Sequence, residues 1–361
     1  MSSATDMPGP RGPGDFERTL GTETAVAVFE EEDRSLLKRI HHLLHANPTA
    51  VPFIVLLLAV ALFSFVVGRR FFHPFNLSLV LQQVTIIAIV GIAQTLVILT
   101  AGIDLSVGAI MVLSSVVMGR LAVVSGVPVE IAFALGLIVG MVCGGINGVL
   151  VAYLKLPPFI VTLGTWSIFG ALNLWYSQSQ TIRQQEVEAA APFLQYTGTA
   201  IRLFGARLTY GSILLIGLAV IVWYVLSRTA FGRHIHATGD DPDAARLAGI
   251  DTDRTLVAVY TIAGCICSVA GWTLIGRIGA ISAVSGGNAN LDSITAVVIG
   301  GTSLFGGRGS IVGTLIGALI VGVFRNGLAL AGADALWQEF AIGLLIISAV
   351  GIDQWIRKVS A

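Results

Sequence analysis

Charged side chains are scarce in this 361-residue chain: Asp, Glu, Lys and Arg make up 12% of it, against about a quarter in a typical soluble domain. That shortage excludes an ordinary cytosolic enzyme. Disorder is excluded too, because a disordered chain is rich in charge and poor in apolar residues. Neither sign of charge prevails, since 21 basic residues balance 21 acidic ones. No net field exists to attract a polyanion, so no nucleic-acid partner is expected. Cysteine is limited to Cys143, Cys265 and Cys267, all inside apolar stretches. They offer neither a disulfide framework nor a four-ligand zinc site and read as small hydrophobes. Lysine occurs only at Lys38, Lys155 and Lys358, none of them after a glycine. The GxxxxGK[ST] phosphate loop is therefore missing, and ATP hydrolysis of that type has to come from another chain.

What is abundant is apolar sequence: 55% of residues are hydrophobic and the mean hydropathy is +0.85. A membrane-spanning helix needs about 20 mainly apolar residues. Ten runs answer to this, at 51–68, 79–100, 106–125, 129–152, 158–177, 211–227, 255–275, 291–304, 309–328 and 336–354. The eighth is short and glycine-rich and reads as a broken or re-entrant segment, which is tolerated only where protein or water covers its backbone. The expected fold is all-α, a polytopic membrane protein with about ten transmembrane helices. Residues 1–48 form a polar cytoplasmic tail containing the acidic run Glu30 to Asp33, and residues 49–361 form the membrane domain. His41, His42 and His45 read as a solvated juxtamembrane face rather than a metal site, and no signal peptide is expected. Lys and Arg are more numerous on the side that holds both termini, which places both termini in the cytoplasm, although Arg69 and Arg70 pull the other way.

Two glycine stripes stand out. Gly136, Gly140, Gly144 and Gly148 recur every fourth position in the fourth span, and Gly309, Gly313 and Gly317 do so at the start of the ninth. Residues four apart share a helix face, and small residues let helices approach closely in lipid. Both stripes fit generic helix packing as well as a tightly packed translocation core. Lying five spans apart, they also suggest a five-plus-five inverted repeat. However, the stripes align at an offset of 173 residues and the Asn147-Gly148 and Asn326-Gly327 pairs at 179, so the repeat stays open.

The most informative polar stretch is the cytoplasmic loop 228–254. Asp241 is an N-cap, Pro242 suits the first helical position, Asp243 and Arg246 complement the helix dipole, and Gly249 suits a left-handed stop. A helix this short is marginal in water and needs a docking surface, on its own protein or on a partner. A second turn, Thr100–Gly108 (TAGIDLSVG), joins the second and third spans. Gly102 breaks the helix there, and Asp104 or Ser106 can cap the next one. It reads as a capped tight turn, or with Asp104 at a cytoplasmic gate or at the contact with an ATPase. Ionisable residues within the spans are few: Asp104, Arg120, Asp292, Arg325 and Glu339 mostly fall near span ends. That argues for a neutral substrate in an externally powered pore over ion coupling. A secondary carrier or facilitator for a small neutral solute is the alternative.

Four segments carry a resemblance: LTAGIDLSVG at 99–108, GGINGVLVAYLKLPPFIVTLGT at 144–165, TAFGRHIHATGDDPDAARLAGI at 229–250 and AVVIGGTSLFGGRGSIVGTLIG at 296–317. Over residues 50 to 355 the chain resembles the inner-membrane permease subunits of ribose/xylose/fructose-type ABC sugar importers. The third segment looks closest to the fructose-importing members, which does not fix the sugar. The resemblance implies a multi-pass permease of the bacterial inner membrane that forms a homodimer. Its partners would be an ABC ATPase subunit, which binds ATP and Mg, and a periplasmic sugar-binding protein. It further implies that Asp241, Pro242, Asp243, Ala244, Arg246 and Gly249 belong to the helix that inserts into the ATPase. No cofactor, metal site or catalytic group is expected in this chain. For a sugar path, amide and aromatic side chains are the candidates, namely Gln94, Asn147, Trp166, Asn173 and Asn326, each of which also reads as an interhelical packing residue.

Overall fold

The computed structural model describes residues 49–203, 205–286 and 288–360. The tail at 1–48, with its acidic run and three histidines, lies outside the described residues. Helix α1 (Ala50–Val67) is followed by α2 (Pro74–Leu99), α3 (Val107–Gly119), α4 (Val129–Ala152) and α5 (Pro158–Ser177). After the short α6 (Gln184–Ala190) and a 3₁₀ turn, β1 (Ala200–Leu203) and β2 (Ala206–Thr209) pair antiparallel, with Ala200 opposite Thr209. Next come α7 (Tyr210–Arg228), α8 (Ala230–Asp240), α9 (Pro242–Leu247), α10 (Thr252–Ile278), α11 (Ala289–Ile299), α12 (Ile311–Leu330) and α13 (Ala335–Ser360). Each of the ten expected runs coincides with a helix. Eight are long and apolar enough to cross a membrane, while Ala289–Ile299 and Ala335–Ser348 are shorter apolar helices. The protein is an all-α polytopic membrane protein, with one small hairpin that the apolar pattern did not disclose.

Burial is uneven, and the unevenness follows from what each helix touches. Nearly every residue of α2 from Val84 to Leu99 is buried, and α10 is lined with buried Val259, Tyr260, Ala263, Cys267 and Ala270. These two helices form the centre. The first glycine stripe explains how α4 reaches them. A β-carbon on Gly140 would stand 2.5 Å from the Gly264 carbonyl oxygen and collide with Ser268, one on Gly144 would collide with the Tyr260 carbonyl, and one on Gly148 would stand 2.8 Å from Val257 Cα. Gly136 is filled from the other side by Met118. Contact between backbones at this range is the van der Waals term that holds helices together in lipid.

The second stripe pairs α12 with α11. Gly313 abuts the Gly300 carbonyl and Gly317 the Ala296 carbonyl. Gly309 does not belong to that helix face. It precedes the N-cap Ser310, whose hydroxyl accepts from Gly313 N, and lies against Thr302. Deeper in the same pair of helices, Arg325 donates to Asp292 at 2.7 Å and to Glu339 of α13 at 2.9 Å, with the Arg325 and Asp292 side chains 13% and 11% exposed. Asn326 and Asn76 exchange amide bonds at 2.9 and 3.0 Å. Three charges that the sequence places near span ends are thus paired with one another.

Candidate functional site

At one end of the bundle four turns converge, and they are the four segments that carry the family resemblance. The geometry is built from α9 outward. Asp241 Oδ1 accepts from the N–H groups of Asp243 (2.9 Å) and Ala244 (3.0 Å), Pro242 occupies the first turn, and Ala245 packs inward. Gly249 has φ +85° and donates to the Arg246 carbonyl at 2.9 Å, while Ile250 N–H reaches the Ala245 carbonyl at 3.0 Å. This closure satisfies the last carbonyls of the helix and needs a residue without a β-carbon penalty at 249. The expected capped helix is present, six residues long.

Arg246 is engaged within its own chain. Its Nε donates to Thr252 Oγ1 at 2.9 Å, and its terminal nitrogens lie 3.3 Å from Asp243 and Asp253. Asp253 in turn pairs with Lys155, at the turn between α4 and α5. The guanidinium therefore ties the short helix to the start of α10. All of the helix but Ala245 is exposed, and its one large apolar side chain, Leu247, is 92% exposed. It is a single apolar side chain turned outward from a polar loop. Hydropathy alone did not single it out. The signal was helical phase: with Ala245 inward, Leu247 falls on the opposite face.

Beneath α9 lies α8, a helix absent from the sequence reading of this loop. Thr229 caps it by accepting from Gly232 N at 3.2 Å, and its far end meets two other turns. The Gly307 N–H donates to the Leu99 carbonyl at 3.0 Å, and His236 Nδ1 lies 2.9 Å from the Gly307 carbonyl. A β-carbon on Gly239 would collide with the Leu99 carbonyl and stand 2.8 Å from Gly307 N.

From Leu99 the chain turns back into the bundle. Ala101 has φ +60°, and a β-carbon on Gly102 would stand 2.7 Å from the Tyr260 hydroxyl. Asp104 is 1% exposed, and its Oδ1 accepts from both the N–H (2.7 Å) and hydroxyl (2.6 Å) of Ser106. Ser106 occupies the N-cap position of α3 without a side-chain cap bond, so Asp104 forms an Asx-type turn ahead of the helix rather than its cap. Asn147 of α4 donates to Ser106 Oγ at 2.8 Å. With its amide oriented to suit its partners, Gln94 donates to the Asp104 carbonyl at 3.0 Å and accepts from its N–H at 3.1 Å. Thr162 of α5 donates to the Ile103 carbonyl at 3.0 Å.

Of the residues named for a sugar path, Gln94 and Asn147 thus meet at Asp104. The others lie apart. Asn173 donates to the Ala283 carbonyl at 2.8 Å, Asn326 pairs with Asn76, and Trp166 faces outward from α5, 43% exposed. These five do not assemble one cavity. Among the described residues no group of His, Cys, Asp or Glu could hold a metal ion.

A short capped helix seated on turns between long apolar helices fits a membrane permease component. Residues 76–350 match the family described as branched-chain amino acid transport system / permease component, and the chain belongs to that family. It is 56% identical over 348 residues to the fructose import permease protein FrcC of Rhizobium meliloti, covering 96% of this chain and 97% of that one. It is 40% identical over 314 residues to the ribose import permease protein RbsC of Bacillus subtilis, covering 86% and 93%. With the D-allose transport system permease protein AlsC of Escherichia coli it shares 33% over 306 residues, covering 85% and 91%. No solved structure matches.

Proposed function

We propose that this chain is the membrane-spanning subunit of an ABC importer that carries a monosaccharide of the fructose or ribose kind across the bacterial inner membrane. The observation that carries the reading is α9: a helix capped at both ends, tied to α10 by Arg246, with Leu247 left bare at its tip. A separate ATPase, binding ATP and Mg, takes up that helix in a cleft that accommodates Leu247. A periplasmic sugar-binding protein delivers the substrate to the opposite end, and a second copy of the chain completes the pathway. Both termini, and with them residues 1–48, lie in the cytoplasm. The sugar assignment is supported by the names of the relatives, which are fructose, ribose and allose permeases despite the amino-acid wording of the family description.

Asp241, Pro242, Asp243, Ala244 and Gly249 then shape the docking helix, and Arg246 orients it. ATP-driven closure of the ATPase draws the two docking helices together and opens the dimer toward the binding protein. Reconstituted vesicles containing this chain, the ATPase and the binding protein test the reading with labelled fructose and ribose. Uptake that requires ATP and all three proteins is the expected result. Uptake by this chain alone, passive or driven by an ion gradient, would mark a carrier or facilitator and overturn it.

A further inference from the structure

The docking helix is fixed to the membrane helices at both of its ends, by α8 on one side and by α10 on the other. Beyond these covalent links, the end of α8 touches two turns that come from distant parts of the chain. Three backbones meet there. Gly239 lies against the Leu99 carbonyl and Gly307 N, and Gly306 lies against the Gly239 carbonyl. A β-carbon on Gly306 would stand 2.5 Å from that carbonyl and 2.9 Å from both Ala101 N and Cβ. Gly306 and Gly307 have φ of +87° and +71°, a region where a side chain adds strain. The Gly307 N–H bond to Leu99 and the His236 bond to Gly307 staple the three segments together.

Each of the two turns leads to a different buried element. From Leu99 the chain runs through Ala101 and Gly102 to Asp104, which is held by Gln94, Ser106 and, through Ser106, Asn147. From Gly306 it runs back to Gly300, against which α12 packs through Gly313. Glycine contacts of this kind leave no side chain to yield, so a shift of α8 is passed on rather than absorbed. Ile235, fully buried on the same helix, anchors α8 in the bundle.

We infer that the junction of Gly239, Leu99 and Gly306–Gly307, fastened by His236, is the relay through which movement of the docking helix reaches the Asp104 turn and the α11–α12 pair. The inference rests on the proposed docking of an ATPase at α9. His236 and Gly239 are positioning residues on this reading. They touch neither nucleotide nor sugar, and they set the number of sugars moved per ATP hydrolysed rather than the hydrolysis itself.

His236 is the residue to change, because its half-buried ring can be cut back with less disturbance than the glycines. A carbonyl accepts its bond, so the ring carries a proton on Nδ1, and the Nδ2–H group of an asparagine can take the same place. In the reconstituted three-protein system, His236→Ala is expected to co-purify with the ATPase and to keep its ATP hydrolysis and thermal midpoint. Sugar uptake per ATP should fall roughly 3- to 30-fold, the span of coupling that a residue between two sites modulates. His236→Asn is expected to restore the ratio, and Gly239→Ala to lower it. An unchanged ratio in His236→Ala, loss of ATPase co-purification in that variant, or failure of His236→Asn to restore the ratio would each overturn the relay. ATP-independent uptake by the unaltered protein would instead overturn the proposed function, so the two failures are distinguishable.

Discussion

Arg246 and Leu247 sit side by side and answer to different physics. The arginine spends its donors on Asp243, Thr252 and Asp253 of its own chain, and exposed pairs of this kind are each worth at most about 1 kcal/mol. Arg246→Glu should therefore insert normally and lose little stability. It should impair uptake by placing a third carboxylate beside Asp243 and Asp253 and releasing the docking helix from α10. Uptake assays alongside a thermal midpoint separate those effects, and unimpaired uptake would contradict the role. Leu247→Asp makes a sharper forecast. Because the side chain is bare in the isolated subunit, its replacement should leave the midpoint unchanged while abolishing co-purification of the ATPase. Asp241, Pro242 and Gly249 were readable in the sequence because caps and stops act over a few residues. Leu247 and His236 were not, since one depends on which way the helix turns and the other on Gly307, far along the chain. The meeting of Gln94 and Asn147 at Asp104 was hidden for the same reason.

Helices here are joined by two kinds of contact, and each predicts its own failure. Gly140 and Gly264 press α4 onto α10, so Gly140→Val should cost about 1–3 kcal/mol or more through overpacking. Gly164 on α5 has nothing within 4 Å of a β-carbon, and Gly164→Val should be tolerated. Thermal unfolding of the two purified variants in detergent makes the comparison, and equal midpoints would refute the packing account. The other contact is ionic. Removing the Arg325 side chain strands Asp292, a loss of about 3–5 kcal/mol for a buried pair broken on one side. Arg325→Ala should drop the midpoint sharply, and adding Asp292→Asn should recover part of it. The spans themselves were legible from apolar runs, and both stripes from their four-residue spacing. Which helix each stripe faces was not, and Gly309 was assigned to a helix that begins only after Ser310. The hairpin at 200–209 escaped because its two strands of four residues each are too short to stand out beside the long apolar runs.

Among the described residues, irregular backbone lies in the turns between the long apolar helices, at 100–106 and 300–310 among them, and in the stretch from Gln178 to the hairpin. The layout bears on electrical insulation. At about 1.5 Å per residue, the 11 residues of α11 extend roughly 16 Å, about half of a hydrocarbon layer some 30 Å thick. The remaining barrier along that line is supplied by the 300–310 turn and whatever it rests upon. Damage to that turn should therefore show as a proton conductance, measurable in a planar bilayer before any defect in cargo movement is sought, and an unaltered conductance would contradict this account.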